Sequence, residues 1–289
     1  MRQWWIAIAV AAACGGNKTQ PPEQKPDPQA KPAPPAPAPP PTPPPPPPAA
    51  WTLPSHPVEL SCGDKLLDLP APKPAAKPAA PRKLARGAAI AGCHDLAAPS
   101  NVCGCLAKAK SAVCKLLPQS VPTLQIADVT SKPANPDTTS AGDALVVIAK
   151  HGTTWSPLGE IESSADIDLS VTPHMSGEAT LLHVDEHALA DGSLVWIETQ
   201  SETVENSLGE HDHDGSASGT ICIVPASAPG YCFASLELAK WTYSLDNQSE
   251  QCTVSTAATY AATVSATSAT LRLEHGSDDD NAAGTYGLE

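Results

Sequence analysis

The chain has 289 residues, 33 of them proline, and a formal net charge of −14. This balance argues against a nucleic-acid-binding protein, because such proteins normally show a basic surface. No apolar run approaches the ~20 residues that a membrane-spanning helix needs, so the sequence excludes a polytopic membrane protein.

The N-terminus has the layout of a secretory signal. Met1 and Arg2 carry positive charge, and residues 4–13 form a short apolar stretch that ends in small residues before Cys14. A charged start, a short apolar centre and small residues at the cleavage position are typical of a signal peptide. The sequence therefore predicts an exported protein.

The residues around Cys14, Ala-Ala-Ala-Cys-Gly, resemble the lipobox of bacterial lipoproteins, with Ala11 where Leu is common. The resemblance implies that signal peptidase II removes residues 1–13 and that Cys14 carries diacylglycerol and a further acyl chain. Gly15 resembles the residue that follows the cysteine in lipoproteins sorted to the outer membrane. The alternative is an ordinary secretory signal with an incidental cysteine.

Residues 14–50 are predicted to form the lipid anchor and a disordered tether. Residues 21–50 contain 17 prolines, and proline lacks the backbone donor that helices and sheets require. An extended polyproline segment of this length reaches on the order of 90 Å. We expect a spacer that holds the following domain away from the membrane.

Residues 51–118 are predicted to be a cysteine-containing segment with a basic Pro/Ala linker at 71–88. The linker is expected to be solvated, or to touch anionic lipid or polysaccharide. Residues 119–289 are predicted to form an acidic β-rich domain. Residues 116–289 hold 25 Asp and Glu against 4 Lys and Arg, whereas residues 1–115 hold 6 against 13.

Eight cysteines remain when Cys14 is set aside, and an even number in an exported chain predicts disulfides. Cys222 and Cys232 flank a turn-rich stretch, so we predict that they pair across a hairpin. If all eight pair, a bridge from Cys252 is expected to join the two halves. A four-thiolate metal site is the alternative for the cluster near residue 100. The eight predicted disulfide cysteines are Cys62, Cys93, Cys103, Cys105, Cys114, Cys222, Cys232 and Cys252.

The element pattern predicts one short helix followed by many strands. Apolar residues at helical spacing predict an amphipathic helix over 101–117. Short segments rich in Val, Ile, Thr and Trp, separated by turn residues, predict strands beyond it. These segments are 123–129, 143–150, 165–172, 193–204, 219–225, 231–243, 252–273 and 283–288.

The fold class predicted from these elements is mainly β. We expect a disulfide-stapled β-sandwich, or a partial barrel or propeller-like domain, with a short helical cysteine-rich segment before it. Trp155, Trp196 and Trp241 are predicted to anchor the core, and an exposed carbohydrate platform is the alternative for them. The layout resembles that of uncharacterised bacterial surface lipoproteins, and this resemblance brings no known activity.

The segment from His183 to His187 matches H-x-x-E-H, the zinc motif of the inverzincin peptidases. The resemblance implies His183 and His187 as zinc ligands on a helix and Glu186 as general base. If the segment is instead a strand, His183, Asp185 and His187 share one face, where they could hold Zn or Cu. Residues 210–215, which are predicted to form a hydrophilic loop with similar chemistry, are a second candidate.

The function predicted from the sequence is a lipid-anchored cell-envelope protein that displays a non-catalytic binding or structural domain and needs no cofactor. Its expected partners are the membrane and a cell-wall or surface polymer or protein, and not nucleic acid. The alternatives are a Zn- or Cu-binding lipoprotein and a metal-dependent hydrolase. No GxSxG, P-loop, GxGxxG or HExxH pattern occurs in the sequence.

Overall fold

The computed structural model describes residues 51–52, 61–62, 65–66, 69–73, 80–131, 143–163, 175–207, 210–246, 251–279 and 281–288. The predicted signal peptide, Cys14, the proline-rich tether and the predicted strand at 165–172 lie outside these ranges. The elements of the described residues are β1 (Trp51–Thr52), β2 (Ser61–Cys62), β3 (Lys65–Leu66), β4 (Arg82–Leu84), α1 (Pro99–Ala109), β5 (Ala112–Val121), β6 (Leu124–Ser131), β7 (Asp143–His151), β8 (Thr154–Ser163), β9 (Met175–Leu189), β10 (Gly192–Ser207), β11 (Glu210–Val224), β12 (Tyr231–Cys232), β13 (Leu236–Asp246), β14 (Gln251–Val264), β15 (Ser268–Gly276) and β16 (Gly284–Leu288).

The prediction of a mainly β fold is confirmed, and the strands form two principal sheets. The large sheet has ten strands, eight of them in the order β4–β16–β15–β14–β13–β11–β10–β9. Within it β1 pairs with β14, and β12 pairs with β11. The small sheet has the order β5–β6–β7–β8, and β2 pairs with β3 in a separate hairpin.

Alternation along β10 shows how the large sheet buries both faces. Leu194 and Trp196 point into one core cluster, whereas Val195 and Ile197 point into another. The second cluster also contains Leu124 and other residues of β6, β7 and β8. The two sheets therefore pack face to face, which is the arrangement of a β-sandwich.

The helix α1 covers the outer face of the small sheet. Val102 and Leu106 pack there against Val146 and Ile148 of β7, and all four side chains are buried. The prediction of a helix over 101–117 is wrong beyond residue 109, because residues 112–117 belong to β5. The chain reverses at Ser111, which has a φ of 50°, and Cys103 is bonded to Cys114 across this reversal.

The basic linker predicted at 71–88 is in part a structural element of the large sheet. Its residues 82–84 form β4, which pairs in parallel with β16. The Arg82 Nη2 donates to the carbonyl of Asn281 at 2.7 Å, and its guanidinium lies 4.4 Å from the ring centre of Tyr286. These contacts hold the arginine on the protein, so the expectation of a solvated linker is wrong for these residues.

The predicted boundary between residues 118 and 119 does not separate two domains. It cuts through β5, whose neighbour in the small sheet is β6. The described residues on both sides of this boundary belong to one compact unit. Among the described residues, no helix combines the length and the hydropathy that crossing a bilayer would require.

Two predicted strands are each divided in two. The predicted strand 231–243 becomes β12 and β13, and 252–273 becomes β14 and β15. The second division is a turn at Ser265, whose Oγ accepts hydrogen bonds from the backbone N–H groups of Thr267 and Ser268. The sequence of this turn contains no glycine or proline, so the turn was not predicted, and the serine side chain stabilises it instead.

Two glycines of β11 lie beneath the two largest core side chains. The indole of Trp196 on β10 covers Gly219, and the indole of Trp241 on β13 covers Gly215. Trp196 is 1% exposed and Trp241 is 2% exposed, which confirms that both anchor the core. A glycine inside a strand marks the close approach of another group, and here that group is an indole ring.

Candidate functional site

Disulfides join most of the described cysteine side chains. Cys222 and Cys232, the pair predicted across a hairpin, are bonded and lie opposite each other on β11 and β12. The cluster near residue 100 holds the bonds Cys93–Cys105 and Cys103–Cys114. The alternative of a four-thiolate metal site is therefore wrong. Cys252 is also disulfide-bonded, and none of these six cysteines is its partner.

The segment that matches the inverzincin motif is a strand. Residues 183–187 lie in the C-terminal half of β9, the last strand in the order of the large sheet. The peptidase motif needs two histidines one helical turn apart, and the structure does not provide this geometry. The carboxylate of Glu186 instead accepts a hydrogen bond from Thr123 Oγ1 at 2.6 Å, which links β9 to the β5–β6 turn.

The structure agrees only in part with the alternative prediction, in which His183, Asp185 and His187 on a strand hold a metal ion. His183 and Asp185 share a face, and the Nε2 of His183 lies 2.9 Å from the Oδ2 of Asp185. His187 also lies on this face, four residues from His183, which is about 13 Å along a strand. In the described part of the chain, no three His, Cys, Asp or Glu side chains are placed to hold a metal.

The hydrophilic stretch 210–215 is the beginning of β11 and not a loop. Its residues alternate between the two faces of the large sheet. On one face the carboxylate of Asp214 accepts a hydrogen bond from Thr242 Oγ1 at 2.6 Å, and Asp212 accepts one from Ser244. These cross-strand bonds give both carboxylates a structural role in the pairing of β11 with β13.

The opposite face of the same strands carries a polar cluster that the sequence did not reveal. The Nδ1 of His213 lies 2.7 Å from the Oε1 of Glu202 on β10. The imidazole stacks on the ring of Tyr243 from β13, with ring centres 4.3 Å apart and an interplanar angle of 10°. The Tyr243 hydroxyl donates to the same Glu202 oxygen at 3.5 Å.

The register of three strands assembles this Glu202–His213–Tyr243 cluster. His213 pairs with Tyr243 across β11 and β13, and it pairs with Val204 across β10 and β11. Because side chains alternate along a strand, Glu202, two residues from Val204, lies on the same face. The carboxylate fixes one ring nitrogen of His213, so the other is left to act as a hydrogen-bond donor or acceptor.

The Tyr243 hydroxyl is held in its protonated form. The pKa of Tyr243 is raised from 10.0 to about 12, chiefly by burial and to a smaller extent by the negative charge of Glu202 and the hydrogen bond to it. The folded protein therefore keeps this proton at pH values where the unfolded chain loses it. Stability from this group is complete below pH 10 and is lost as the pH rises toward 12.

We expect Tyr243→Phe to reduce the amount by which the free energy of unfolding falls at alkaline pH. Between pH 8 and pH 11 the wild-type protein should lose up to about 1–2 kcal/mol more unfolding free energy than the variant, since one pKa unit corresponds to about 1.4 kcal/mol. Urea denaturation of both proteins at the two pH values measures this difference. Equal losses in the two proteins would show that the phenol does not carry the effect.

Two further carboxylates, those of Glu198 and Asp278, have structural roles. Glu198 is 2% exposed and accepts a hydrogen bond from the Trp196 indole N–H at 2.8 Å. Asp278 is 5% exposed and accepts hydrogen bonds from the Tyr260 hydroxyl at 3.0 Å and the Ala283 N–H at 3.2 Å. Each carboxylate thus accepts a hydrogen bond at a place where burial without a partner would be costly.

The chain matches no model of a protein family, no curated protein and no solved structure.

Proposed function

We propose that this protein is a bacterial lipoprotein of the cell envelope, anchored through Cys14 to the outer membrane, and that it displays a β-rich binding or structural domain. The proline-rich segment 14–50 is the spacer between anchor and domain. The domain binds a cell-wall or surface polymer or protein and performs no catalysis. Membrane attachment through two or three acyl chains is stable, whereas a single chain binds only weakly.

The disulfides are the observation that carries this proposal. Cysteines in cytosolic proteins are kept reduced, and disulfides persist in the periplasm and at the cell surface. Three bonds join six cysteines of the described chain, and Cys252 is bonded as well. An exported domain accounts for this bonding, and the lipobox-like sequence at Cys14 accounts for the cysteine nearest the N-terminus.

Replacing Cys14 with serine tests the anchor. In a bacterial host fed with labelled palmitate, the wild-type chain should incorporate label and sediment with the membranes. Cys14→Ser should lose all of the label, because serine offers no thiol for diacylglycerol transfer. Cys252→Ser is the matched control and should keep it. Mass spectrometry of the wild-type N-terminus should find acylated Cys14 as the first residue.

The proposal fails if Cys14→Ser incorporates as much palmitate as the wild-type protein. It also fails if the wild-type chain is released in soluble form after cleavage at another position.

A further inference from the structure

A strap, which we define as residues 85–96, contacts β8, the edge strand of the small sheet, at two places. At the first contact the Ala88 carbonyl oxygen lies 3.0 Å from the position that a Cβ on Gly159 would occupy. At the second contact Leu96 and Trp155 exchange two backbone hydrogen bonds, of 3.0 and 2.7 Å. The strap residues between the two contacts outnumber the residues of β8 between them. This part of the strap therefore forms an arch beside the edge of β8.

One disulfide, Cys93–Cys105, joins the arch to α1, and we call it the strap bond. Both of its cysteines are partly exposed, and the neighbouring His94 is exposed. In contrast, Cys222 is fully buried and its partner Cys232 is 5% exposed. Thiol–disulfide exchange requires that the attacking thiolate reach a sulfur atom. A dithiol in solution therefore has better access to the strap bond than to the bond in the core.

The backbone beside the strap bond is strained. Cys93 and Asp95 both have a φ of 57°, in the left-handed region that residues other than glycine rarely adopt. Residues stay in such a conformation only where the surrounding structure holds them there. The Asp95 N–H donates a hydrogen bond to Ser156 Oγ at 2.9 Å, and Cys93 is held by its bond to Cys105. Cleavage of the strap bond would release this strain, and strained or exposed disulfides are the ones that are easily reduced.

The arch closes a cavity of about 360 Å³. Ala89 and Asp95 of the arch line the cavity together with Leu158 of β8 and Pro229 of the loop that precedes β12. This volume lies in the range of about 300–1,000 Å³ that is usual for small-molecule sites. Movement of the arch would open the cavity and expose the edge of β8, and an exposed strand edge can pair with another chain.

The rest of the fold does not depend on the strap bond. The Cys103–Cys114 disulfide separately joins α1 to β5. Val102 and Leu106 of α1 are buried against the small sheet. These contacts stay in place when the strap bond is cleaved. Cleavage is therefore expected to release the arch locally and to leave the domain folded.

We propose that the strap bond is a redox-controlled clasp, which a dithiol of a cell-envelope protein opens to uncover the cavity and the edge of β8. One thiolate of the dithiol attacks a sulfur of the strap bond, forms a mixed disulfide and displaces the other cysteine as a thiolate. The second thiol of the dithiol then displaces the first cysteine. Two electrons and two protons pass to the pair, so Cys93 and Cys105 become thiols and the dithiol becomes a disulfide. The clasp regulates the domain of the proposed function, and it rests on that function for the compartment alone.

Equilibration of the oxidised full chain with mixtures of reduced and oxidised dithiothreitol tests the clasp. After alkylation of free thiols, mass spectrometry of the peptides measures the reduced fraction of each bond. The strap bond should be half reduced at a ratio of reduced to oxidised dithiothreitol at least about tenfold lower than Cys222–Cys232 requires, since strain at one left-handed residue can supply a factor of this size. Hydrogen exchange should then become faster at residues 88–95 and 154–158 and stay unchanged in β10.

Two glycine variants separate the effect of strain from that of exposure. Asp95→Gly should raise the ratio that half reduces the strap bond severalfold, because glycine adopts the left-handed conformation without steric cost. Asn281→Gly is the matched control. Asn281 has a φ of 53° in the loop between β15 and β16, outside the strap, so this variant should leave the ratio unchanged.

The proposal is overturned if the strap bond needs as high a ratio as Cys222–Cys232, or if Asp95→Gly is reduced as easily as the wild-type protein. It is also overturned if hydrogen exchange at residues 88–95 is the same before and after reduction. None of these results alters palmitate labelling of Cys14, so failure of the clasp and failure of the proposed function are distinguishable.

Discussion

Replacing Gly219 with alanine is expected to lower the free energy of unfolding by about 2–3 kcal/mol, near the upper end for overpacked cores. A Cβ at this position would overlap the indole of Trp196 and lie 2.9 Å from its Cζ3. The ring is 1% exposed, so it has no free space into which to move. Urea denaturation followed by tryptophan fluorescence measures the loss.

Two further variants separate this clash from the general effect of removing a glycine. In a Trp196→Leu background, Gly219→Ala should cost less than about 0.5 kcal/mol, so the double-mutant cycle should show a large coupling energy. Gly104→Ala is the control for backbone entropy. Gly104 lies in α1 with no atom near its hypothetical Cβ, so alanine there should stabilise by about 0.5–1 kcal/mol. Equal effects at Gly104 and Gly219 would contradict the packing argument.

Removal of the Cys222–Cys232 disulfide by double substitution with alanine should cost about 2–4 kcal/mol. The two cysteines are separated by 10 residues, and Cys222 is fully buried in the core cluster between the sheets. The bond restricts the unfolded chain, and its sulfur atoms also fill space in that core. Both contributions disappear in the variant, and urea denaturation under oxidising conditions measures their sum.

The Cys93–Cys105 bond provides the comparison for this prediction. Its sequence separation is 12, so the chain-entropy contribution is nearly the same, but both of its cysteines are only partly buried. Its removal should therefore cost less than removal of Cys222–Cys232. The interpretation is wrong if the buried bond contributes less than about 1 kcal/mol or less than the Cys93–Cys105 bond.

The strands that can be predicted from the sequence are those in which the residues themselves strongly favour a β-strand. Val146, Val147 and Ile148 form a β-branched run that is buried on both faces in β7. The sequence was ambiguous for β9, because His183 to His187 suits either a polar helix or the partly exposed face of an edge strand. Val113 and Leu116 fit helical spacing, so the pattern over residues 112–117 predicts a helix. These residues belong to β5 instead, where Val113 is 58% exposed.

The Glu202–His213–Tyr243 cluster was beyond sequence reasoning for a different reason. Its three residues come from three strands, and their contact depends on the register that joins β10, β11 and β13. If either pairing shifted by one residue, His213 would lie on the opposite face of the sheet from Glu202 or from Tyr243.

The crossed pairing of the four cysteines near residue 100 has a consequence for oxidative folding. On the proposed route of export, these cysteines would enter the oxidising compartment in chain order, and bonding of successive thiols would join Cys93 to Cys103 and Cys105 to Cys114. The bonds in the structure are Cys93–Cys105 and Cys103–Cys114, so each closed loop contains one cysteine of the other. A helix turns about 200° over two residues, so α1 directs Cys103 and Cys105 to opposite sides. Early formation of this helix would guide thiol exchange toward the native pairs, and where the helix forms late the domain depends on a disulfide isomerase.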